Sequence, residues 1–271
     1  MKIALHQMCS GTEVSINIQE ITKAVQAAAK NKAVVYFAPE MSFMLDRDRR
    51  HAAHSIVAEQ DNHALRQLCA VAAAEKIWVH LGSIPVAHED GSGRYGNRSI
   101  VIDNHGIIRA RYDKMHLFDV DLATGESWRE SSAYRGGDGP VLVDTPLGIM
   151  GLTICYDMRF PDLYSYLARS GAKVFAAPAA FTVPTGKAHW HVMLRARAIE
   201  SACFVIAAAQ SGLHEDGRAT YGHSLVVDPW GEVLLDMGEG EGLGFVDIDL
   251  KRVDQVRLQI PVHLNRRVIP R

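Results

Sequence analysis

Residues 151–161 read GLTICYDMRFP, and the pattern predicts a buried strand that turns directly into a helix. The apolar and β-branched residues leading into this stretch are typical of a buried strand, and they stop at Cys155. Polar residues and Pro161 follow, and then apolar residues recur at helical spacing from Leu163 to a stop signal at Gly171. A cysteine on such a turn presents its side chain where backbone N–H groups point at whatever it attacks. We therefore interpret Cys155 as a catalytic nucleophile. The alternative is a buried structural cysteine, since free cysteine is among the most buried residue types.

The composition fits a globular α/β protein with a sizeable core. The chain has 271 residues, 48% of them hydrophobic, and we find no linker, repeat or break in composition, so one domain is preferred over two. A formal net charge of −2 gives no reason to expect nucleic acid or an anionic membrane as partner. No apolar run approaches the ~20 residues of a membrane span, and the N-terminus MKIALHQM turns polar too soon for a signal peptide.

The cysteines and histidines do not follow the spacing of a metal site. The 4 cysteines are far apart in sequence, without the CxxC spacing of zinc sites or the density of a disulfide scaffold. We therefore expect reduced thiols in a cytoplasmic enzyme. The 13 histidines include HWH at 189–191, which is not the i, i+4 pair of a helical metal site. We expect neither a metal nor a cofactor.

Strand and helix patterns alternate along the chain. We predict helices over residues 17–30, 63–76, 162–170 and 189–202. We predict strands over residues 2–7, 33–38, 77–84, 98–103, 107–112, 174–178, 204–209, 223–227, 233–235 and 244–249, with two more near 141 and 149. Turn signals at 104–106 and 228–231 indicate hairpins, so a mixed sheet, or two sheets with helices outside, is favoured over a parallel barrel. The segment 115–140 is a long excursion, and such a loop in a compact domain is usually functional.

Three ionisable residues follow predicted strands, namely Glu40, Lys114 and Cys155. Strand ends at one edge of an α/β sheet are where ligand sites are built. These residue types fit attack of a thiolate on a carbonyl or nitrile carbon, with a carboxylate of burial-raised pKa as the base. The lysine and a backbone N–H, that of Tyr156, would stabilise the oxyanion.

Each of these residues also has an ordinary structural interpretation. Glu40 could be a helix N-terminal charge and Lys114 a solvated loop residue, as most ionisable residues are. We interpret RARAIE at 195–200 as a salt-bridge network of Arg195, Arg197 and Glu200 rather than as substrate ligands.

Three stretches in the same order resemble the signatures of the nitrilase superfamily, the carbon–nitrogen hydrolases. They are PEM with Glu40, YDKMHLFDVDL with Lys114 and GLTICYDMRFPDL with Cys155. The resemblance extends over essentially the whole chain, including TGKAHWHVMLRARAIE at 185–200 and YGHSLVVDPWGEV at 221–233. It implies a Glu–Lys–Cys triad of Glu40, Lys114 and Cys155. A second glutamate near the site in this family matches Glu130, which would hold Lys114 and orient the substrate.

The family's fold would be an α/β four-layer αββα sandwich, here a single domain over residues 1–271. Such proteins usually form homodimers, sometimes homotetramers, through sheet-flanking helices and a C-terminal arm. Residues 262–271 would be that arm.

Within the superfamily the chain resembles the Nit-type amidases, whose substrates are small amides of 2-oxo acids. This resemblance favours cleavage of deaminated glutathione to 2-oxoglutarate and cysteinylglycine. The alternatives are omega-amidase activity on 2-oxoglutaramate and 2-oxosuccinamate, a carbamoylase or aliphatic amidase, and a non-catalytic binding member. A true nitrilase is less favoured, because Tyr156 and Asp157 follow the cysteine where nitrilases have Trp–Glu.

The resemblance also implies residues that bind the substrate. Arg159 matches the family's carboxylate-binding arginine, and a guanidinium suits bidentate capture of a carboxylate. Tyr156, Phe181 and Thr185 complete the predicted substrate site. The alternative for Arg159 is a helix-start salt bridge with Asp162.

Overall fold

Two β-sheets form the centre of the computed structural model, which describes residues 1–88, 90–121, 125 and 127–267. The first sheet has 7 strands, of which β1, β2 and β3 are parallel. Its order is β17 (Gly242–Asp247), β1 (Lys2–Gln7), β2 (Val35–Phe37), β3 (Trp78–His80), β5 (Tyr95–Ile102) and β4 (Ile84–Ala87). The last strand, β6 (Ile108–Asp113), pairs antiparallel with β5.

The second sheet has 6 strands and also combines parallel and antiparallel pairs. Its order is β16 (Val233–Asp236), β15 (Leu225–Val227), β12 (Phe204–Ala207), β11 (Val174–Ala176), β10 (Gly148–Leu152) and β9 (Val141–Thr145). The three strands β10, β11 and β12 are parallel, so their carboxyl ends lie at the same edge of the sheet.

Two helices, α1 (Val14–Lys30) and α3 (His63–Glu75), cover the outer face of the first sheet. Side chains alternate between the two faces of a strand. Accordingly Ala4, Tyr36 and Val79 share a core with these helices, while their strand neighbours share a core with the second sheet, namely Ile3, Leu5, Val35 and Phe37. Burial on both faces explains why residues 33–38 are continuously apolar.

The helices α4 (Pro161–Arg169) and α5 (Val183–Ser201) cover the second sheet. Tyr164 of α4 packs edge-on against Phe175 of β11, with ring centroids 5.0 Å apart. Trp190 and Leu194 of α5 are fully buried in the same core. The layers therefore run helix, sheet, sheet, helix, and the predicted αββα sandwich is confirmed.

Some predicted elements have different bounds. The strand expected over 77–84 is divided between β3 and β4, because Gly82 turns the chain with a φ of +66°. The helix expected from 189 begins at Val183, since Pro184 is compatible with the first turn of a helix. The basic segment after residue 250 forms α6 (Lys251–Gln259), which buries Val253 and Val256.

Three short elements were not predicted. The segment 115–140 contains a hairpin of β7 (Asp119–Asp121) and β8 (Ser127–Arg129), and a second hairpin joins β13 (Ser211–Leu213) to β14 (Ala219–Tyr221). A short helix, α2 (Arg49–Ala53), begins at Asp48, whose side chain accepts hydrogen bonds from the N–H groups of Arg50 and His51. The two hairpins and α2 all contribute residues to the cavity described below.

The predicted salt-bridge network of RARAIE is only partly correct. Arg197 does pair with Glu200 at 2.7 Å, and it also donates to the carbonyl oxygen of Met158 at 2.7 Å. Arg195 instead donates to the carbonyl oxygen of Gly231, because it lies on the side of α5 that faces the turn between β15 and β16.

The C-terminal region continues into α7 (Val262–Asn265). The predicted arm, residues 262–271, includes residues 268–271, which lie outside the described residues. Its role in assembly stays a prediction, as does the assignment of residues 1–271 to one domain. None of the helices described is both long and apolar enough to cross a lipid bilayer.

Candidate active site

Cys155 lies three residues beyond β10, at the start of a short 3₁₀ turn, Cys155–Arg159. Its φ is +47°, a left-handed conformation that is unfavourable for a residue with a Cβ and persists only where the surroundings enforce it. The N–H of Cys155 donates to the carbonyl oxygen of Pro178 at 2.9 Å, which ties the turn to the end of the neighbouring strand β11. The turn therefore fixes the direction of the thiol.

A buried carboxylate holds this turn in place. Asp157 is fully buried, and its oxygens accept hydrogen bonds from the N–H of Ile154 at 2.8 Å and the hydroxyl of Tyr112 at 2.7 Å. One of these oxygens, Oδ1, also accepts a hydrogen bond from the backbone N–H of His116 at 3.1 Å and lies 2.7 Å from Nδ1 of the same residue. The ring of His116 stacks on that of Phe160, with ring centroids 3.7 Å apart. His116 thus anchors the loop after Lys114 to the cysteine turn.

The structure brings the three predicted strand-end residues together. Lys114 follows β6 directly, and its Nζ lies 2.9 Å from Glu40 Oε1. The second oxygen of Glu40 accepts the N–H of Ala180 at 2.9 Å. The charges of Glu40 and Lys114 both act on the thiol of Cys155. Glu40, Lys114 and Cys155 are 4%, 2% and 8% exposed, so water screens these charges poorly.

Glu130 is the second carboxylate of the cluster. Its Oε2 accepts a hydrogen bond from Lys114 Nζ at 2.9 Å and one from the N–H of Phe118 at 2.6 Å. Asn97 of β5 donates from Nδ2 to both glutamates, at 2.9 Å to Glu40 and 3.1 Å to Glu130. Sequence reasoning did not identify Asn97, which ties both carboxylates to the first sheet.

Burial and neighbouring charges set the protonation states. Burial and the adjacent charge of Glu40 raise the pKa of the Cys155 thiol well above its usual value. Burial lowers the pKa of Lys114, but Glu130 and Glu40 outweigh it and raise that pKa well above its usual value. At rest the cluster therefore contains a neutral thiol and an ammonium group.

The expected pKa shift of Glu40 was wrong in sign. Burial alone raises the pKa of this carboxyl, as the sequence argument assumed. The ammonium of Lys114 and the hydrogen bonds from Lys114, Ala180 and Asn97 lower it by more, so the net shift is downward. Glu40 is therefore a carboxylate at neutral pH, which is the protonation state that a base requires.

A cavity of about 560 Å³ opens beside the cluster. Its volume is in the range typical of small-molecule sites. Among the predicted site residues, those that line it are Glu40, Lys114, Glu130, Cys155, Tyr156, Phe181 and Thr185. Thr185 is held at the start of α5 by a 2.7 Å hydrogen bond between its hydroxyl and that of Thr182.

Arg159 is not among the residues that line this cavity. Its guanidinium carbon lies 5.8 Å from the ring centroid of Tyr156 and 5.6 Å from that of Phe181. Its nitrogens lie 3.3 Å from Nδ1 of His189 and 3.7 Å from the sulfur of Met193, so within the described residues it contacts α5 and not Asp162. Arg159 therefore packs against two side chains of the cavity wall.

A separate group of potential metal ligands lies away from this cavity. His191, in the HWH segment, has a ligand atom within 4.8 Å of those of His223 and Asp236. Both imidazoles lie 2.9 Å from oxygens of Asp236, so this aspartate links α5 to the loop before β15. No sequence pattern indicated this cluster, because its three members are not at the spacing of a known metal motif.

Comparison with known proteins gives concordant matches. A family model described as carbon-nitrogen hydrolase matches residues 2–258. The chain is 41% identical over 273 residues to the deaminated glutathione amidase of Mus musculus, which covers 98% of this chain and 83% of the mouse protein. It is 37% identical over 266 residues to the nitrilase and fragile histidine triad fusion protein NitFhit of Caenorhabditis elegans, covering 98% of this chain but only 60% of the fusion.

Many solved structures are similar over nearly the whole chain, and two of them are informative. That of C. elegans NitFhit has a TM-score of 0.91 and covers 98% of this chain and 65% of the other. That of a mutant amidase from Nesterenkonia sp. AN1 has a TM-score of 0.80 at 25% identity, covering 97% of this chain and 99% of the other. In the latter, acrylamide has been added to the active-site cysteine by Michael addition.

Proposed function

Because this chain belongs to the carbon–nitrogen hydrolase family, we propose that it hydrolyses deaminated glutathione through a thioester on Cys155, releasing cysteinylglycine and 2-oxoglutarate. The observation that carries the chemistry is the position of Lys114 between two carboxylates beside a cysteine in a cavity. The mouse relative supports the choice of substrate.

In the first half of the reaction Glu40 acts as the base. Its carboxylate takes the thiol proton as Cys155 Sγ attacks the amide carbon, so that thiolate and carboxylate charges never coexist in the buried site. The ammonium of Lys114 and the N–H of Tyr156 stabilise the oxyanion that forms. Glu40 then passes its proton to the amide nitrogen, the carbon–nitrogen bond breaks, and cysteinylglycine leaves as an amine.

In the second half the same carboxylate activates water. Glu40 takes a proton from water as the oxygen attacks the thioester carbon, and Lys114 again faces the oxyanion. The carbon–sulfur bond then breaks, the proton returns to Cys155, and 2-oxoglutarate is released. The lowered pKa of Glu40 suits this cycle, because the group must be unprotonated at the start of each half.

Glu130 is proposed as a positioning residue for Lys114. An ammonium group held only by Glu40 could change position as that carboxylate gains and loses its proton. Hydrogen bonds to both Glu40 and Glu130 instead hold Nζ of Lys114 in one position. For the substrate, we propose that Tyr156, Phe181 and Thr185 contact the acyl chain. Arg159 would then support the Tyr156 and Phe181 rings, in place of the direct carboxylate contact expected from the resemblance.

The proposal is tested by comparing deaminated glutathione with 2-oxoglutaramate as substrates. The first should give 2-oxoglutarate without ammonia, and the second both products. A large preference for deaminated glutathione is expected. A large preference for 2-oxoglutaramate would instead identify an omega-amidase, and failure to hydrolyse either would overturn both assignments. Addition of acrylamide to Cys155, followed by mass spectrometry, reports separately whether the thiol is reactive.

We further propose that the protein assembles as a homodimer or homotetramer in the cytoplasm. Large apolar side chains are exposed on α4, α5 and the C-terminal segment, including Tyr166 (47%), Val192 (69%), Leu258 (85%) and Leu264 (86%). Exposed apolar side chains mark a site of association where they lie together in one patch, and we propose that these do. Sedimentation equilibrium of the wild type and of Val192→Glu tests this assembly, and a monomeric wild type would contradict it.

The cytoplasm is proposed as the compartment because its reducing conditions would keep the Cys155 thiol available.

A further inference from the structure

The mouth of the cavity carries an excess of positive charge. Four arginines line the cavity together with Asp46, namely Arg47, Arg49, Arg129 and Arg218. Asp46 is engaged by His51, whose Nδ1 lies 2.6 Å from its Oδ2. Deeper in the cavity, Lys114 faces two glutamates and is fully compensated. An anionic substrate would therefore meet several guanidinium groups at the mouth, whereas the ammonium at the floor is already paired with two carboxylates.

The four arginines are not equally available. Arg129 forms an ion pair with Asp121, and its Nη2 lies 2.9 and 2.7 Å from the two carboxylate oxygens. Arg49 donates to the carbonyl oxygen of Arg129 and to the hydroxyl of Ser132, so it braces the hairpin of β7 and β8. These two arginines are occupied in holding that hairpin.

Arg47 and Arg218 instead both pack over one aromatic ring. Their guanidinium carbons lie 4.9 and 5.3 Å from the ring centroid of Trp128. Arg218 forms an ion pair with Asp216, with 2.8 Å between Nη2 and Oδ2. Arg47 has no ion-pair partner in the part of the chain that the structure describes. The charge of Arg218 also acts on Tyr134, another residue of the cavity wall.

We propose that Arg47 and Arg218, arranged around Trp128, form a subsite that binds a carboxylate of the amide substrate. A guanidinium offers two parallel N–H donors to a carboxylate, and packing on an aromatic ring reduces the freedom that it loses on binding. The inference rests on the proposed function and adds the residues that select an anionic amide. Deaminated glutathione carries two carboxylates, one on its 2-oxo acid end and one on its glycine, and either could reach this subsite.

The test uses Arg47→Gln and Arg218→Gln, separately and together, with Arg50→Gln as the matched control. Arg50 is exposed on α2, three residues from Arg47, and does not line the cavity. The substrates are deaminated glutathione and its C-terminal glycinamide analogue. Each subsite variant should lower kcat/KM for deaminated glutathione at least about tenfold, mainly through KM, because a hydrogen-bonded charge is lost. Arg50→Gln should have little effect.

The glycinamide analogue identifies which carboxylate is bound. If the subsite takes the glycine carboxylate, wild type will hydrolyse the analogue poorly and the variants will cause no further loss. If the subsite binds the 2-oxo acid carboxylate, wild type will hydrolyse the analogue. The variants will then lose as much activity on the analogue as on deaminated glutathione. Acrylamide, a neutral reagent, should add to Cys155 at the wild-type rate in every variant.

Two results would overturn the subsite alone. One is a change of less than about twofold in both variants with an active wild type. The other is a loss that extends equally to acrylamide addition, since this would indicate a general disturbance of the site. Failure of wild type to hydrolyse either substrate would overturn the proposed function, and the subsite with it.

Discussion

Lys114 Nζ lies 2.9 Å from Glu40 Oε1, and the two side chains are only 2% and 6% exposed. A buried ion pair of this kind stabilises little over apolar residues, but removing one partner leaves a costly buried charge. In the proposed mechanism the pair supplies an ammonium beside the oxyanion and a carboxylate beside the thiol.

Replacing the nucleophile should separate chemistry from folding. Cys155→Ala removes the sulfur that is proposed to form the thioester, so we expect turnover to fall at least about 10⁴-fold. The side chain is small and 8% exposed, so the variant should keep its circular dichroism spectrum and unfold cooperatively. Activity near the wild-type level would remove Cys155 from the mechanism.

Glu40→Gln tests the base. The amide keeps the shape of the side chain but cannot take the thiol proton, so kcat should fall about 10²-fold to 10⁴-fold. Acrylamide addition to Cys155 should also slow, because that reaction needs the same deprotonation. Alkylation at an unchanged rate would mean that another group activates the thiol.

Glu130→Gln tests the second partner of Lys114. The buried ammonium would keep only one carboxylate, and we expect a loss of about 2–3 kcal/mol in the free energy of unfolding, measured with urea. The activity should fall at least about tenfold as Lys114 loses its fixed position. Asp138→Asn is the control, because the side chain of Asp138 is 90% exposed where it pairs with Arg135. This substitution should lower the free energy of unfolding by less than about 0.5 kcal/mol. Equal stabilities of the two variants would show that Glu130 does not hold Lys114.

The motifs were sufficient to place the four central residues, but not their surroundings. Glu40, Lys114 and Cys155 were found because each follows a recognisable strand, and Glu130 because it matches the family. Asn97 was missed, since its contact with both glutamates depends on the register of β5 and no local pattern encodes that. The direction predicted for the pKa shift of Glu40 was wrong for the same reason. Burial can be inferred from sequence, but the partners that oppose it come from three separate segments.

The stability of the protein should depend on pH through the same cluster. The lowered pKa of Glu40 contributes stability above its unfolded value of about 4.3, which is lost as the pH falls through the folded value. The raised pKa of Lys114 contributes stability below about 10.4, which is lost as the pH rises through the folded value.

Cys155 adds a second loss on the alkaline side. Its raised pKa favours the folded state below about 8.5, and this contribution declines at higher pH by up to about 1.4 kcal/mol per pH unit. Between about pH 8.5 and 10, wild type should therefore lose stability faster than Cys155→Ala, which has no thiol to ionise. Urea unfolding followed by tryptophan fluorescence measures the difference. Parallel curves would indicate that the Cys155 thiol titrates as it does in the unfolded chain.

The loop that carries Glu40 depends on a glycine in another segment. Gly82 has a φ of +66°, and a Cβ added to it would lie 1.9 Å from the carbonyl oxygen of Pro39. Gly82→Ala should therefore displace residues 39–40 as well as strain the backbone, and we expect kcat/KM to fall at least about tenfold as Glu40 moves. Gly91→Ala is the matched control, because Gly91 has a φ of +73° and no described residue would lie within 4 Å of an added Cβ. It should cost only the backbone strain, about 1–2 kcal/mol, with activity unchanged. If both variants lost stability equally and kept activity, close packing at Gly82 would not be what positions Glu40.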